Sequence, residues 1–252
     1  MDLELKGKRA IVTGGSRGIG KAIARQLALE GVDVVIAARN KESLRATAAE
    51  LSKETGRRII PLVADTSDAA SVDALVKAAV AELGGLDILV NNAALPGGIS
   101  TATRLEEVVD AQVLQDIDIK VVGYLRTARA AAPHLVASGW GRIINIGGLA
   151  IRKTGRPVAT LRNVGVAAVT KNLADELGPK GVNVVAVHPG ATRTERTKKE
   201  SEHDLAANVS IGRIVDSKEV AYLVAFLASP KSVAINGDAI PAGGGSIGSI
   251  YY

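Results

Sequence analysis

The sequence predicts an α/β fold, a doubly wound parallel sheet of about seven strands with helices on both faces. Three observations predict it. Short runs rich in Val, Ile and Leu alternate along the chain with longer stretches whose apolar residues recur at three- and four-residue spacing. Aromatic residues make up only 2% of the chain, so its 47% hydrophobic content must build an aliphatic core, as buried parallel strands under Ala-rich helices do. No Pro/Gly/Ser-rich linker divides the 252 residues, which are read as one domain spanning 1–252.

The elements follow in order. "RAIVTG" (9–14) is the first strand, and the Gly-rich stretch after it leads into the helical pattern "GKAIARQLALEG". "DVVIAA" (33–38) is the second strand, followed by the helix "KESLRATAAELSKETG". "IIPLVA" (59–64), "LDILVNN" (86–92), "GRIINIG" (141–147) and "GVNVVAVHP" (181–189) supply four more, with long helices over roughly 105–137 and 158–178. The amphipathic run "SKEVAYLVAFLAS" precedes a final strand candidate, "SVAINGDAIPAGGG" (232–245). Regular βα alternation implies parallel crossovers. The segment 190–216 is long, of mixed charge and without a clear strand, and is read as a substrate lid or flexible strip.

Composition removes several classes of function. With no cysteine there is no disulfide, no thiolate nucleophile and no Cys-ligated metal. His134, His188 and His203 are scattered without ligand spacing, so no metal site is expected. The net charge of +5 comes from dispersed basic residues, which suits a solvated surface and an anionic small ligand better than nucleic acid. No apolar run approaches the ~20 residues of a membrane span, and the first residues carry charges and no signal-peptide core. A cytoplasmic protein without a membrane or nucleic-acid partner is expected.

The turn after the first strand reads Thr13-Gly14-Gly15-Ser16-Arg17-Gly18-Ile19-Gly20. Glycines there let the backbone turn tightly and approach a pyrophosphate, while the amides and positive end of the following helix face the anion. The spacing T-G-x-x-x-G-x-G, the "NNAA" at Asn91 to Ala94, and Pro189-Gly190 with Thr194 beyond it together resemble the short-chain dehydrogenase/reductase superfamily, over essentially residues 5–245. The resemblance implies a Rossmann-type sheet and a nicotinamide dinucleotide. It implies that Gly14, Ser16, Arg17, Ile19 and Gly20 wrap the phosphates and adenosine ribose, and that Asp65 and Thr66 meet the adenine. It further implies that Asn92 and Ala93 flank the second ribose, and that Gly190 and Thr194 approach the carboxamide. An Asp at the end of the second strand would repel a 2′-phosphate, but this chain has "AARN" at 37–40. Arg39, helped by Arg17, can pair with that phosphate, which points to NADP(H) rather than NAD(H).

The catalytic end departs from the family pattern. Members of this kind place a Ser after the fifth strand, Y-x-x-x-K in the next long helix, and an Asn on the helix before. Here Gly148 aligns with the Ser, Gly147 being the near alternative, and Ala159 and Asn163 align with the Tyr and Lys. Asp118 is assigned to the Asn position. Asn163 keeps hydrogen-bonding capacity towards a ribose but brings no charge, and Ala159 can donate nothing. Candidate substitutes are Arg152, Lys153, Thr154, Arg162 and the terminal Tyr251 and Tyr252, while Tyr124 is read as a packed or interface aromatic. Two readings stay open: an NADP(H)-dependent oxidoreductase acting on an unknown carbonyl or alcohol with a non-standard proton donor, and a catalytically silent homologue acting as sensor, scaffold or oligomer partner. The Ala-rich stripes of the two long helices suit close packing across a two-fold axis, so a homodimer or homotetramer is expected.

Overall fold

A computed structural model of the chain describes residues 1–95, 98–197 and 199–247. In order, the first half comprises β1 (Arg9–Thr13), α1 (Gly18–Leu29), β2 (Asp33–Ala38), α2 (Lys41–Thr55), β3 (Ile59–Val63), α3 (Ala69–Leu83) and β4 (Ile88–Asn91). The second comprises α4 (Asp110–Ile117), α5 (Gly123–Ala137), β5 (Gly141–Ile146), α6 (Pro157–Leu177), β6 (Val182–Pro189), β7 (Thr192–Arg193), α7 (Lys199–Ala206), β8 (Val215–Asp216), α8 (Ser217–Ala228) and β9 (Ala239–Ala242).

Seven strands form one parallel sheet in the order β3-β2-β1-β4-β5-β6-β9. Because side chains alternate across a strand, each apolar run feeds two cores. Val12, Ile36, Val90 and Ile144 face α1 and α8, where Ile23, Leu27 and Val224 meet them. Ile11, Val35, Leu89 and Ile143 face the other way, towards Leu75 on α3, Leu135 on α5 and Leu177 on α6. The chain leaves β1 on one side for β2 and β3 and returns on the other for β4, so the carboxyl ends of β1 and β4 flank the place where strand order reverses. Ligands of open α/β sheets settle in the crevice at such a point.

Two expectations need correction. The last strand is shorter than 232–245: Ser232 ends a 3-10 turn, and only Ala239–Ala242 pairs with β6. Side chains hold the stretch between, with Asn183 Nδ2 donating to the carbonyls of Val233 and Ile235 and Asn236 Oδ1 accepting from the Val184 amide. Segment 190–216 does contain strand, as β7 pairs with β8 in a separate two-stranded sheet. Arg193 on β7 ties it together, reaching Glu202 on α7 and Asp216 on β8.

Candidate active site

A cleft of about 820 Å³ opens over the carboxyl ends of the central strands. One end is the Gly-rich turn. Gly14 needs its left-handed φ of 65°, and a Cβ on Gly20 would stand 2.2 Å from the Gly14 carbonyl oxygen, so the turn can close only around glycine at both positions. Thr13 Oγ1 accepts from the amides of Asn92 and Ala93, while Asn92 Nδ2 donates to the carbonyls of Thr13 and Gly14. The β1 turn and the β4 loop are thereby clamped to each other.

Helix α1 begins at this turn with no side-chain cap of its own and no acidic residue in its first turn. Its Gly18 amide instead takes the Glu195 carboxylate, at 3.0 and 3.3 Å, from the loop beyond β7. A helix end that draws a carboxylate from so far along the chain has the donor set an anion requires, and exposed Arg17 and Arg39 line the same stretch of cleft. Burial pushes the Asp65 carboxyl up, but the Ser67 hydroxyl and amide together with the charges of Arg39 and Arg126 outweigh it and leave the group below its ordinary value. The turn and its arginines fit the pyrophosphate and 2′-phosphate of a dinucleotide.

All thirteen residues assigned to the cofactor from the sequence line the cleft: Gly14, Ser16, Arg17, Ile19, Gly20, Arg39, Asp65, Thr66, Asn92, Ala93, Asn163, Gly190 and Thr194. Gly148, Ala159 and Arg162 line it too. Gly147 is held to glycine by His188, whose ring nitrogen Nδ1 would lie 2.2 Å from an added Cβ. The Gly148 amide donates to that Nδ1 at 3.1 Å, and burial pushes the imidazole down to about 4, so His188 is neutral at pH 7. Its Nε2 is buried without a partner.

Asp118 does not belong to the cleft. It opens a π-helical turn, Asp118–Val122, joining α4 to α5, and its Oδ1 accepts from Arg126 Nη2 at 2.6 Å with the carboxylate part-exposed. Two residues on, a helical chain has turned about half a revolution, and there Lys120 faces inward. Lys120 is 5% exposed, and its Nζ donates to the Gly147 carbonyl at 2.9 Å and to Asn163 Oδ1 at 3.1 Å. Burial, reinforced by the Arg162 charge and only partly offset by Asp116, brings this amine down to about 7. The Asn163 amide is accordingly engaged by protein, since its Nδ2 also donates to the Ala159 carbonyl at 2.8 Å.

Arg162 is buried beside this pair, its Nη1 on Asp116 Oδ1 at 3.0 Å and its Nε without a partner. Asp116 also accepts from the amides of Ile99 and Ser100. Arg152 and Lys153 are exposed and do not line the cleft, whereas Arg156, which sequence reasoning passed over, does. Thr154 is exposed as well, and Tyr251 and Tyr252 lie outside the described residues. Tyr124 is packed as expected, donating to the Ile146 carbonyl, with burial raising its phenol well above the ordinary range. The signal that could have located Lys120 is a lone cation inside the apolar run "IDIKVVGYL". Among the described residues no cluster of His, Asp and Glu could hold a metal ion.

Comparison with known proteins agrees with this geometry. The family model described as enoyl-(acyl carrier protein) reductase matches residues 14–246. A curated relative, the 3-oxoacyl-[acyl-carrier-protein] reductase FabG of Vibrio harveyi, is 34% identical over 248 residues, 96% of this chain and 98% of its own. Among solved structures, the L-sorbose reductase of Gluconobacter frateurii, complexed with NADPH and L-sorbose, superposes with a TM-score of 0.91 at 28% identity, covering 99% of this chain and all of its own. A short-chain dehydrogenase from Burkholderia cenocepacia in complex with NADP gives a TM-score of 0.85 at 38% identity, covering 96% and 98%. With the strand order, the glycine turn and these likenesses together, the chain belongs to the short-chain dehydrogenase/reductase superfamily.

Proposed function

We propose that this protein is an NADP(H)-dependent oxidoreductase that acts on a carbonyl or alcohol through a remodelled proton-transfer site. The observation that carries the reading is one continuous cleft. It runs from the Gly-rich turn, Arg17 and Arg39 to Lys120 and Asn163 at the ends of the central strands. Arg39 and Arg17 would hold the 2′-phosphate, the turn glycines would admit the pyrophosphate, and Asn92, Ala93, Gly190 and Thr194 would flank the nicotinamide half. Bound there, the dinucleotide would supply hydride-transfer chemistry.

The remodelling lies at Gly148, Ala159 and Asn163. No hydroxyl stands at the first two, so neither an oxyanion donor nor a phenolic acid is available from them. The ammonium missing at Asn163 is restored from the neighbouring helix, since Lys120 Nζ donates to the Asn163 side chain. Of the sequence-derived substitutes, Arg162 lines the cleft but pairs through Nη1 with Asp116, and Arg152 and Lys153 do not line it. Lys120 is therefore the side chain best placed to hold or release a proton beside the substrate.

A silent, cofactor-binding homologue is the second reading, favoured by the absence of hydroxyls at Gly148 and Ala159. Fluorescence titration with NADPH and NADH tests the cofactor. Tighter NADPH binding, with the preference reduced at least tenfold in Arg39→Ala, is expected from loss of a charge-assisted pair worth ~1.5–3 kcal/mol. Equal affinities in the wild type overturn the NADP(H) assignment. NADPH oxidation across a broad panel of ketones and aldehydes decides between the readings, and a chain that binds NADPH yet reduces nothing is the silent homologue.

A further inference from the structure

We propose that the substrate carries a carboxylate, held by Arg162 and Lys120 in the depth of the cleft with Arg156 at its rim. The inference rests on the oxidoreductase reading and adds the substrate class to it.

The charge inventory leads there. Among the described residues, lining carboxylates occur only at Asp65, one of the residues assigned to the adenine, and at Glu195, on the α1 end. Besides Arg17, Arg39 and Arg196, three cationic side chains, Lys120, Arg156 and Arg162, line the same cleft as Ala93, Ala94, Ala150 and Ala159. Two of the three, Lys120 and Arg162, are 5% and 6% exposed. Among the described residues their buried counter-charge is Asp116, which already receives two backbone amides besides Arg162. Whenever Lys120 carries its proton, two buried cations thus face one fully occupied carboxylate, an imbalance that costs stability unless the amine gives up the proton or a further anion completes the set.

The donors are also incompletely used. Asp116 takes the Arg162 guanidinium through Nη1, and Nε is left buried and unpaired. Lys120 has three N–H donors and spends two on Gly147 and Asn163. A carboxylate offers two oxygens and about four lone-pair sites to such a set, and a planar fork beside an ammonium matches it. Gly148 and Ala159 project no side chain beyond a methyl group into the space before them. A Cβ at Gly148 would already come within 3.3 Å of Asn163 Oδ1.

The test is calorimetric titration of NADP⁺-saturated protein with a series of short 2-oxo and 3-oxo acids, acetoacetate among them, each against a neutral hydroxyketone of equal length. At least one oxo acid should bind about tenfold or more tightly than its neutral counterpart, a gap expected of a charge-assisted contact. That gap should close in Lys120→Met and narrow in Arg156→Ala. Because deleting Arg162 would strand Asp116, Arg162→Lys is the third variant, keeping the charge while removing the fork. No oxo acid preferred over its neutral partner, or a preference unchanged in both Lys120→Met and Arg162→Lys, overturns the proposal. Inorganic phosphate displacing the best oxo acid at equal or lower concentration overturns the carboxylate in favour of a phosphorylated substrate. The two readings fail separately. A chain that ignores NADPH but still binds an oxo acid through Lys120 refutes the oxidoreductase and keeps the anion site, and a chain that binds NADPH without distinguishing the paired ligands does the reverse.

Discussion

At the scale of single residues, the buried Lys120 amine is the group whose state sets the character of the site. Desolvation brings it to about 7, far below its ordinary value, with Arg162 pressing in the same direction, Asp116 opposing, and neutral His188 and Tyr124 nearby. The consequence for stability has a definite sign. Between pH 7 and about 10.5 the unfolded chain binds this proton and the folded chain does not, so stability rises with pH across that window. Below pH 7 both states are protonated and the full cost of the buried ammonium is present. Lys120→Met should therefore gain stability relative to the wild type most at pH 6, and the gain should shrink by several kcal/mol in order of magnitude towards pH 10. Urea unfolding at the two pH values measures it, and a difference independent of pH would mean that the amine stays protonated throughout. His188 works in the opposite range. Its imidazole, held down to about 4, stays neutral while the unfolded residue protonates, so stability falls as pH drops from about 6.5 to 4.

Between elements, the junction of α4 and α6 matters most for the site. Asp116 on α4 receives Arg162 from α6 and the amides of Ile99 and Ser100, so one carboxylate orders two helices and the loop beside the cleft. It is 3% exposed, and among the described residues Arg162 pairs with no other acid. Asp116→Ala should destabilise the protein by about 3–5 kcal/mol, because removing one member of a buried pair strands the other. Chemical denaturation gives that number. Amide hydrogen exchange should at the same time show Ile99 and Ser100 losing protection, and unchanged exchange there would mean the loop is held by other contacts. A second device, the chain Thr127–Asn91–Asn145–Thr170, fixes β4 and β5 against α5 and α6 through buried hydrogen bonds of 2.6 to 2.9 Å. Such a network is strong because every member has a partner.

For the molecule as a whole, the exposed apolar residues bear on assembly. Leu114 on α4, Leu125 on α5, and Leu161 and Val164 on α6 are 69%, 41%, 52% and 45% exposed. Large apolar side chains left in water on neighbouring helices mark a surface that association would cover. We propose a homodimer through α4, α5 and α6, with a tetramer as its further assembly. Sedimentation equilibrium should find the wild type associated at micromolar concentration, and Leu161→Asp with Val164→Asp should shift it to monomer without altering its circular dichroism. A monomeric wild type would refute the assembly. Among the described residues no helix is long and apolar enough to cross a membrane.

What the sequence determined by itself is what short range decides. Continuous apolar runs and three-to-four-residue patterning marked the strands and helices, because parallel strands buried on both faces must be apolar throughout and their crossovers amphipathic. The glycine turn was legible for the same reason, since its shape follows from backbone conformation over a few residues, and the cleft position of Arg39 follows from its place at the end of β2. Tertiary structure alone decided the catalytic end. The π-helical turn at Asp118–Val122 offsets the helical phase, so Asp118 turns out to Arg126 while Lys120 turns in, and no linear spacing reports such an offset. Likewise the pairing of Arg162 with Asp116 spans 46 residues, and that of Lys120 with Asn163 spans 43. Which cation is spent on a neighbour, and which is left for a ligand, depends on distances across the packed core rather than along the chain.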